Sequence, residues 1–244
     1  METRHVNVVH SLECNTRLMS TVAVIPVKNL ANAKQRLSGL LSASSRQMLF
    51  TAMFQDVLEA VSTCDAIDRV LVVTDDEQVR DIALAFGAEV RSEPATPGLI
   101  PAVTESGRQL AAEGVTSMLF LPADVPLITV EELEIVLGGF GRRDGPECLI
   151  VPATDLGGSN CVVCSPPDCM PFGFGEDSFR RHLGLARQAG IEPAVAKLPG
   201  IGLDVDVPED LSELARRILA DGLCTNTARF LESEGIMAKQ RAAS

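Results

Sequence analysis

Short apolar runs alternate with stretches of helical period along most of the chain. TVAVIPV, from Thr21 to Val27, is a continuous Val- and Ile-rich run of the kind that forms a strand covered on both faces. RVLVVTDD and SMLFLPAD repeat that form, and Ala88 to Ser92 predicts a shorter strand. Between them lie helical patterns. One opens at Ser44-Ser45-Arg46-Gln47, a capping-box sequence, and runs to about Val61. One runs from Glu77 to Phe86 and stops at Gly87, one covers Ala102 to Glu113, and one opens at Thr129 and reaches Leu137. CLIVPAT and CVVCSPP are separated only by the turn Asp155-Leu156-Gly157-Gly158, which predicts an antiparallel pair. Asp177 to Ala189 reads as a helix, AVAKLP and LDVDV as the last strands, and Glu209 to Ala220 as the closing helix. The expected fold is α/β: a mostly parallel, mixed central sheet with helices on both faces.

The organisation that follows is an extension over 1–20 expected to be disordered, one domain over 21–222, and a C-terminal helix and tail over 223–244. Residues before Met19 have no periodic apolar face, and Met19 is a second candidate start. The apolar runs are too short to span a bilayer, and no apolar core of signal-peptide type precedes the domain, so the expected location is the cytoplasm.

Composition narrows the function. Hydrophobic residues make up 46% and charged residues 22%, ordinary values for a chain with a sizeable core. A net charge of −12 disfavours a nucleic-acid partner, and an anionic substrate then needs a local basic patch or a metal. The single C-x-x-C, Cys161 to Cys164, invites a zinc or redox reading. On a strand, however, residues three apart face opposite ways, so buried reduced thiols are the better account. No dinucleotide fingerprint, Walker P-loop or nucleophile elbow is present.

Two constellations remain. Lys28, Lys34 and Arg36 follow the first strand, where the carboxyl ends of an open α/β sheet place ligands, and they suit a triphosphate. The bland alternative is a solvated loop. Asp124 ends the SMLFLPAD run, and Asp204 and Asp206 sit two apart in LDVDVPEDL. If that segment is extended, both project from one face. Three carboxylates at sheet ends suit a hard divalent cation such as magnesium. The alternative there is that Val207-Pro208-Glu209-Asp210 merely opens a helix.

Taken in order, AVIPVKNLANAKQRLS, VLVVTDD, LPADVPLI, the GGSN turn, PFGFGEDSFRRH and LDVDVPEDL resemble the guanylyltransferases of coenzyme F420 biosynthesis, which act on 2-phospho-L-lactate, phosphoenolpyruvate or 3-phosphoglycerate. The resemblance covers about Thr21 to Leu219. It implies a nucleotide-diphospho-sugar-transferase type fold, GTP and a small phosphorylated acid as substrates, and magnesium. It places Lys28, Lys34 and Arg36 on the GTP phosphates and Asp124, Asp204 and Asp206 on the metal; of these, Lys28, offsetting charge on phosphate, and Asp124, holding the metal, are the expected catalytic residues. It places the acid substrate on Ser159 or Asn160, Gly175 and Ser178. One departure stands out: the family usually carries Asn after Gly-Leu, where this chain has Ile100-Pro101, which bears on the strictness of GTP preference. The rival readings are a nucleotidyltransferase for a sugar phosphate or a molybdopterin-type cofactor, and a non-catalytic nucleotide-binding protein. The choice of acid and the oligomeric state, including a homo-oligomer, stay open.

Overall fold

The computed structural model describes residues 20–30, 33–140 and 145–243. The expectation for residues 1–20 falls, except at Ser20, outside them. Among them, seven strands form one sheet in the order β3-β2-β1-β4-β6-β5-β7. They are β1 (Thr21–Pro26), β2 (Arg69–Val73), β3 (Glu89–Arg91), β4 (Ser117–Phe120), β5 (Glu147–Pro152), β6 (Ser159–Ser165) and β7 (Ala194–Val195). β1 pairs in parallel with β2 and β4, and β2 with β3, while β6 runs against both β4 and β5. The β5–β6 pair is the hairpin expected from the Gly157-Gly158 turn, so the sheet is mixed and mostly parallel.

The described residues also form eight α-helices: α1 (Ala43–Thr63), α2 (Glu77–Ala85), α3 (Leu99–Ala112), α4 (Val130–Leu137), α5 (Ser178–Gln188), α6 (Pro208–Asp221), α7 (Asn226–Ser233) and α8 (Ile236–Ala243). Strand alternation decides which helices cover which face. Ala23, Ile25, Leu119 and Val163 point toward Phe54 and Val57 of α1, Val79 of α2 and Leu133 of α4. Val22, Val24, Met118 and Val162 point the other way, toward Val103 and Leu110 of α3 and Ala186 of α5. Cys161 and Cys164 fall into these opposite clusters, as strand geometry requires, and Cys64, Cys148, Cys161 and Cys164 are buried free thiols. A third cluster packs Leu49 and Met53 of α1 against Leu214 of α6, Phe230 and Leu231 of α7 and Met237 of α8. No helix among the described residues is long and apolar enough to cross a membrane.

Several local expectations need correction. α1 is capped by Ser42, whose side chain accepts from the Ser45 N–H, and the helix begins one residue before Ser44. α3 begins at Leu99, so Pro101 lies in its first turn, where a missing N–H costs no intrahelical bond. AVAKLP contributes only Ala194–Val195 to the sheet. LDVDV is not a strand. Its burial alternates, with Leu203 and Val205 buried and Asp204 and Asp206 partly exposed, but Val205 N–H donating to Asp124 O at 3.2 Å is its bond to the neighbouring chain. The C-terminal region holds two helices, α7 and α8, where one was expected. The buried Asp56 carboxylate accepts from the backbone N–H groups of Asn226 and Thr227, which ties the start of α7 to α1.

Candidate active site

The carboxyl ends of β1 to β4 open onto a cleft of about 320 Å³, at the point where the strand order reverses around β1. Pro26, Val27, Lys28 and Asn29 form one wall, Leu99 and Ala102 from the start of α3 another, and Phe120, Pro122, Ala123 and Asp124 the end. The loop after β1 is held down by Asp76. One carboxylate oxygen caps α2 by accepting from the Gln78 and Val79 N–H groups, and the other accepts from the Leu30 N–H at 3.1 Å.

Asp124, Asp204, Asp206 and Lys34 meet beside this cleft. Lys34 Nζ pairs with Asp124 Oδ2 and donates to Asp206 Oδ1 at 2.8 Å. The Lys34 side chain is 4% exposed, against 20% for Asp124 and 46% for Asp206. Burial alone would lower the ammonium's pKa. The charges of the two carboxylates and their hydrogen bonds outweigh it, and the net shift is upward. Lys34 has φ 52°, ψ 44°, a left-handed conformation uncommon outside glycine, and its two ion pairs fix the side chain that this backbone presents. Asp204 completes the group. Burial raises its pKa and so does the charge of Asp124, while Asn160 Nδ2, donating to Asp204 Oδ1 at 3.0 Å, acts in the opposite sense. The same Asn160 amide donates to Ile201 O, so Asn160 positions Asp204. The turn feeding Asp204 is itself anchored: Glu132 accepts from the Gly200 and Ile201 N–H groups at 2.7 and 2.8 Å, and a Cβ on Gly200 would collide with the Leu127 carbonyl.

Among the described residues no three His, Cys, Asp or Glu side chains stand ready-arranged around one metal position. The ammonium of Lys34 stands between two of the three acids. The donor set still fits a hard divalent ion, because Asp124 and Asp206 share one buried monocation and Asp204, close enough to feel the charge of Asp124, adds a third carboxylate. The helix-opening alternative for Val207 to Asp210 holds alongside this. Asp210 accepts from the Asp206 and Val207 N–H groups at the start of α6, which fixes the backbone carrying Asp206.

The residues assigned to the acid substrate lie on β6 and at the start of α5. Ser178 Oγ accepts from the Ser159 N–H at 3.0 Å. Ser178 is the first residue of α5, and Asp177 is the capping position. His182 lies behind this pair, fully buried, with its ring edge-on to Phe174 at 4.7 Å between centroids. Its Nε2 accepts from the Gly173 N–H at 2.9 Å, which leaves the proton on Nδ1 to be donated to Ser159 Oγ at 2.9 Å. Each serine hydroxyl therefore accepts one hydrogen bond and keeps its own proton to donate. Gly175, at φ 111°, turns the chain just before Ser178 and accepts from the Ser178 N–H. Lys28 lines the cleft, whereas Arg36 is exposed on the turn after Lys34.

Sequence reasoning did not identify Asp76, Glu132 or His182 as supports. Asp76 stands immediately before the helix expected from Glu77, its second partner Leu30 far away in the chain, and the partners of the other two are likewise brought to them only by the fold.

Burial holds the His182 imidazole down at about 4, against an ordinary value near 6.5. A depressed imidazole contributes stability that is complete above the unfolded value and is lost as pH falls through the folded one, here about 3 kcal/mol across pH 6.5 to 4. Asp204 and Glu132, whose carboxyls are shifted upward, act in the opposite sense over part of that window. The direct check is therefore the ring itself. NMR of His182, assigned with His182→Gln, should show a neutral Nδ1–H tautomer at pH 5, and titration near 6.5 would contradict the buried network.

The chain matches the family model described as "Guanylyl transferase CofC like" over residues 21–244. It is 38% identical over 200 residues to a phosphoenolpyruvate guanylyltransferase of Conexibacter woesei, covering 82% of this chain and 89% of that one. It is 37% identical over 197 residues to a 3-phospho-D-glycerate guanylyltransferase of Colwellia psychrerythraea, covering 81% and 92%. A 2-phospho-L-lactate guanylyltransferase of Methanothermobacter thermautotrophicus is 35% identical over 196 residues, covering 80% and 84%. Among solved structures, a protein assigned as a nucleotide-diphospho-sugar transferase from Desulfovibrio desulfuricans superposes with a TM-score of 0.74 at 18% identity, covering 91% of this chain and 98% of that one. A cytidylyltransferase from Leptospira borgpetersenii gives 0.55 at 12% identity, covering 92% and 96%. These two structures establish the nucleotide-diphospho-sugar-transferase fold. With the family model spanning the whole described domain and relatives above 30% identity along its length, this chain belongs to the CofC-like guanylyl transferase family.

Proposed function

We propose that the protein joins GTP to a small phosphorylated carboxylic acid, releasing pyrophosphate, as a step of coenzyme F420 biosynthesis in the cytoplasm. The observation that carries the reading is the juxtaposition of the nucleotide-sized cleft with the Asp124–Lys34–Asp206 group and Asp204. A phosphate oxygen of the acid attacks the α-phosphorus of GTP, the bond from that phosphorus to the bridging oxygen breaks, and pyrophosphate leaves with the electron pair. The attacking oxygen is already an anion, so no general base is required. His182, neutral and committed to Gly173 and Ser159, is not placed to serve as one.

Asp124, Asp204 and Asp206 would hold magnesium, which supplies Lewis-acid neutralisation of charge on the phosphate oxygens when bound. The chain's own groups do the remainder. Lys28, on the cleft wall, offsets charge that develops on the triphosphate. Lys34 is within reach of the same region and is available to anionic oxygens when another cation satisfies the aspartates. Ser159 and Ser178 present hydroxyl protons to the carboxylate of the acid, and the turn at Gly175 sets the entry to α5. The test is acid-dependent pyrophosphate release from GTP with magnesium.

Ser178→Ala should raise the Michaelis constant for the acid about tenfold or more while changing that for GTP little. It should also cost about 1–3 kcal/mol of stability, because the buried Ser159 N–H loses its acceptor. Steady-state kinetics varying each substrate in turn, with urea unfolding, decide it. Equal changes in both constants would assign Ser178 a structural role alone.

A further inference from the structure

Among the described residues lining the cleft, four carry polar side chains: Lys28, Asn29, Glu93 and Asp124. Lys28 and Asn29 follow β1, and Asp124 belongs to the acid group beside β4. Glu93 stands apart at the opposite end, two residues beyond β3, on the ridge between the cleft and a second hollow of about 710 Å³. Three strand spacings separate β3 from β4 in the sheet order, or about 14 Å of sheet. That is of the order of the distance from the outer edge of a purine base to a cation on the α-phosphate of the same nucleotide.

The backbone at Glu93 is fixed by its N–H, which donates to Asp75 Oδ1 at 3.3 Å. Its carboxylate makes no hydrogen bond or ion pair with any described residue. The arginine two positions earlier is committed elsewhere, to Glu113 and Gln109. The neighbouring walls are apolar: Val27, Val73 and Leu99, the last 42% exposed despite its size. An apolar slot ending in a carboxylate with free lone pairs fits one kind of base edge. Guanine carries two adjacent donors, N1–H and the 2-amino group, that a carboxylate can accept together as a charge-assisted pair. Adenine presents an unprotonated N1 at that place, and hypoxanthine lacks the 2-amino group. Cytosine and uracil are a ring shorter.

We propose that Glu93 is the residue that reads guanine in this enzyme, its carboxylate accepting from N1–H and the 2-amino group of GTP while Val27 and Leu99 hold the ring. The inference rests on the functional reading above, since it takes GTP as the nucleotide. It also assigns base selection to the end of β3, away from Ile100.

Glu93→Gln keeps the size of the side chain but replaces one acceptor by an amide donor facing two donors. The experiment compares GTP with ITP, the inosine nucleotide, in wild type and Glu93→Gln. It uses pyrophosphate release with phosphoenolpyruvate, 2-phospho-L-lactate and 3-phosphoglycerate supplied together, and displacement of a fluorescent GTP analogue. Wild type should favour GTP over ITP by about tenfold or more. The variant should melt as wild type does, bind GTP at least about tenfold more weakly, keep kcat within a few-fold at saturation, and show a GTP-to-ITP ratio near one. An unchanged ratio in the variant overturns the assignment while leaving the transferase reading intact. Binding that responds to Glu93→Gln without any turnover in wild type supports the assignment and defeats the transferase reading instead. Wild type that binds GTP and ITP equally, or neither, overturns the role of Glu93.

Discussion

Asp204→Asn should leave a folded protein whose transferase activity is down by about a thousandfold or more, the several kcal/mol of transition-state stabilisation that a bound metal supplies. The fold tolerates the change because the Asn side chain keeps the oxygen that accepts from Asn160. In the absence of metal the variant should be as stable as wild type or more so, by up to about 1 kcal/mol, since the ionised Asp204 is disfavoured by burial and by Asp124. The sign follows from linkage. A carboxyl with a raised folded pKa weakens the native state progressively as pH rises from its unfolded value through the folded one. The variant's advantage should accordingly be larger at pH 7.5 than at pH 4. Near-wild-type turnover would remove Asp204 from the metal site, and a marked loss of metal-free stability would assign it to holding the turn at Ile201.

Lys34→Met should move stability the other way. Removing the ammonium leaves Asp124 and Asp206 facing each other, with Asp204 close by. Breaking one partner out of a buried pair costs about 3–5 kcal/mol, and the exposure of Asp206 at 46% lets solvent screen part of that, so about 2 kcal/mol is expected. Magnesium should restore much of the loss and should raise the melting temperature of the variant more than that of wild type, because the ion no longer competes with a resident cation. Activity should fall as well, with Lys34 absent from the phosphates. Equal melting of variant and wild type without magnesium would contradict the ion-pair geometry, and an equal response to magnesium would show that Lys34 and the ion occupy different places.

The two variants bear on what sequence could disclose. Continuous Val-, Ile- and Leu-rich runs identify β1, β2 and β4 because both of their faces are covered, and the Gly157-Gly158 turn identifies the β5–β6 hairpin because only a tight turn fits between two adjacent runs. Asp204 and Asp206 were legible as a pair because alternate positions of an extended segment share a face. Their segment was misread as a strand for the same reason. Alternating burial records extension and packing, and it is silent on whether a ladder of hydrogen bonds exists. The sequence predicts one helix and a tail where α7 and α8 form, because their apolar residues answer to α1 and α6, which is information about packing and not about local period. The place of Lys34 was beyond reach: 90 residues separate it from Asp124 and 172 from Asp206, and a basic residue in a loop after the first strand reads as a phosphate ligand until the fold brings the acids to it.

The most direct test of the account is a product mass measurement. The purified protein is incubated with GTP and magnesium, with phosphoenolpyruvate, 2-phospho-L-lactate and 3-phosphoglycerate in competition, and pyrophosphate is counted alongside. A guanosine-diphospho acid is expected from one of the three in a one-to-one ratio with pyrophosphate, and no pyrophosphate when all three are withheld. Pyrophosphate release that does not depend on any of these acids, or a product formed only when a sugar phosphate or pterin phosphate replaces them, would contradict it.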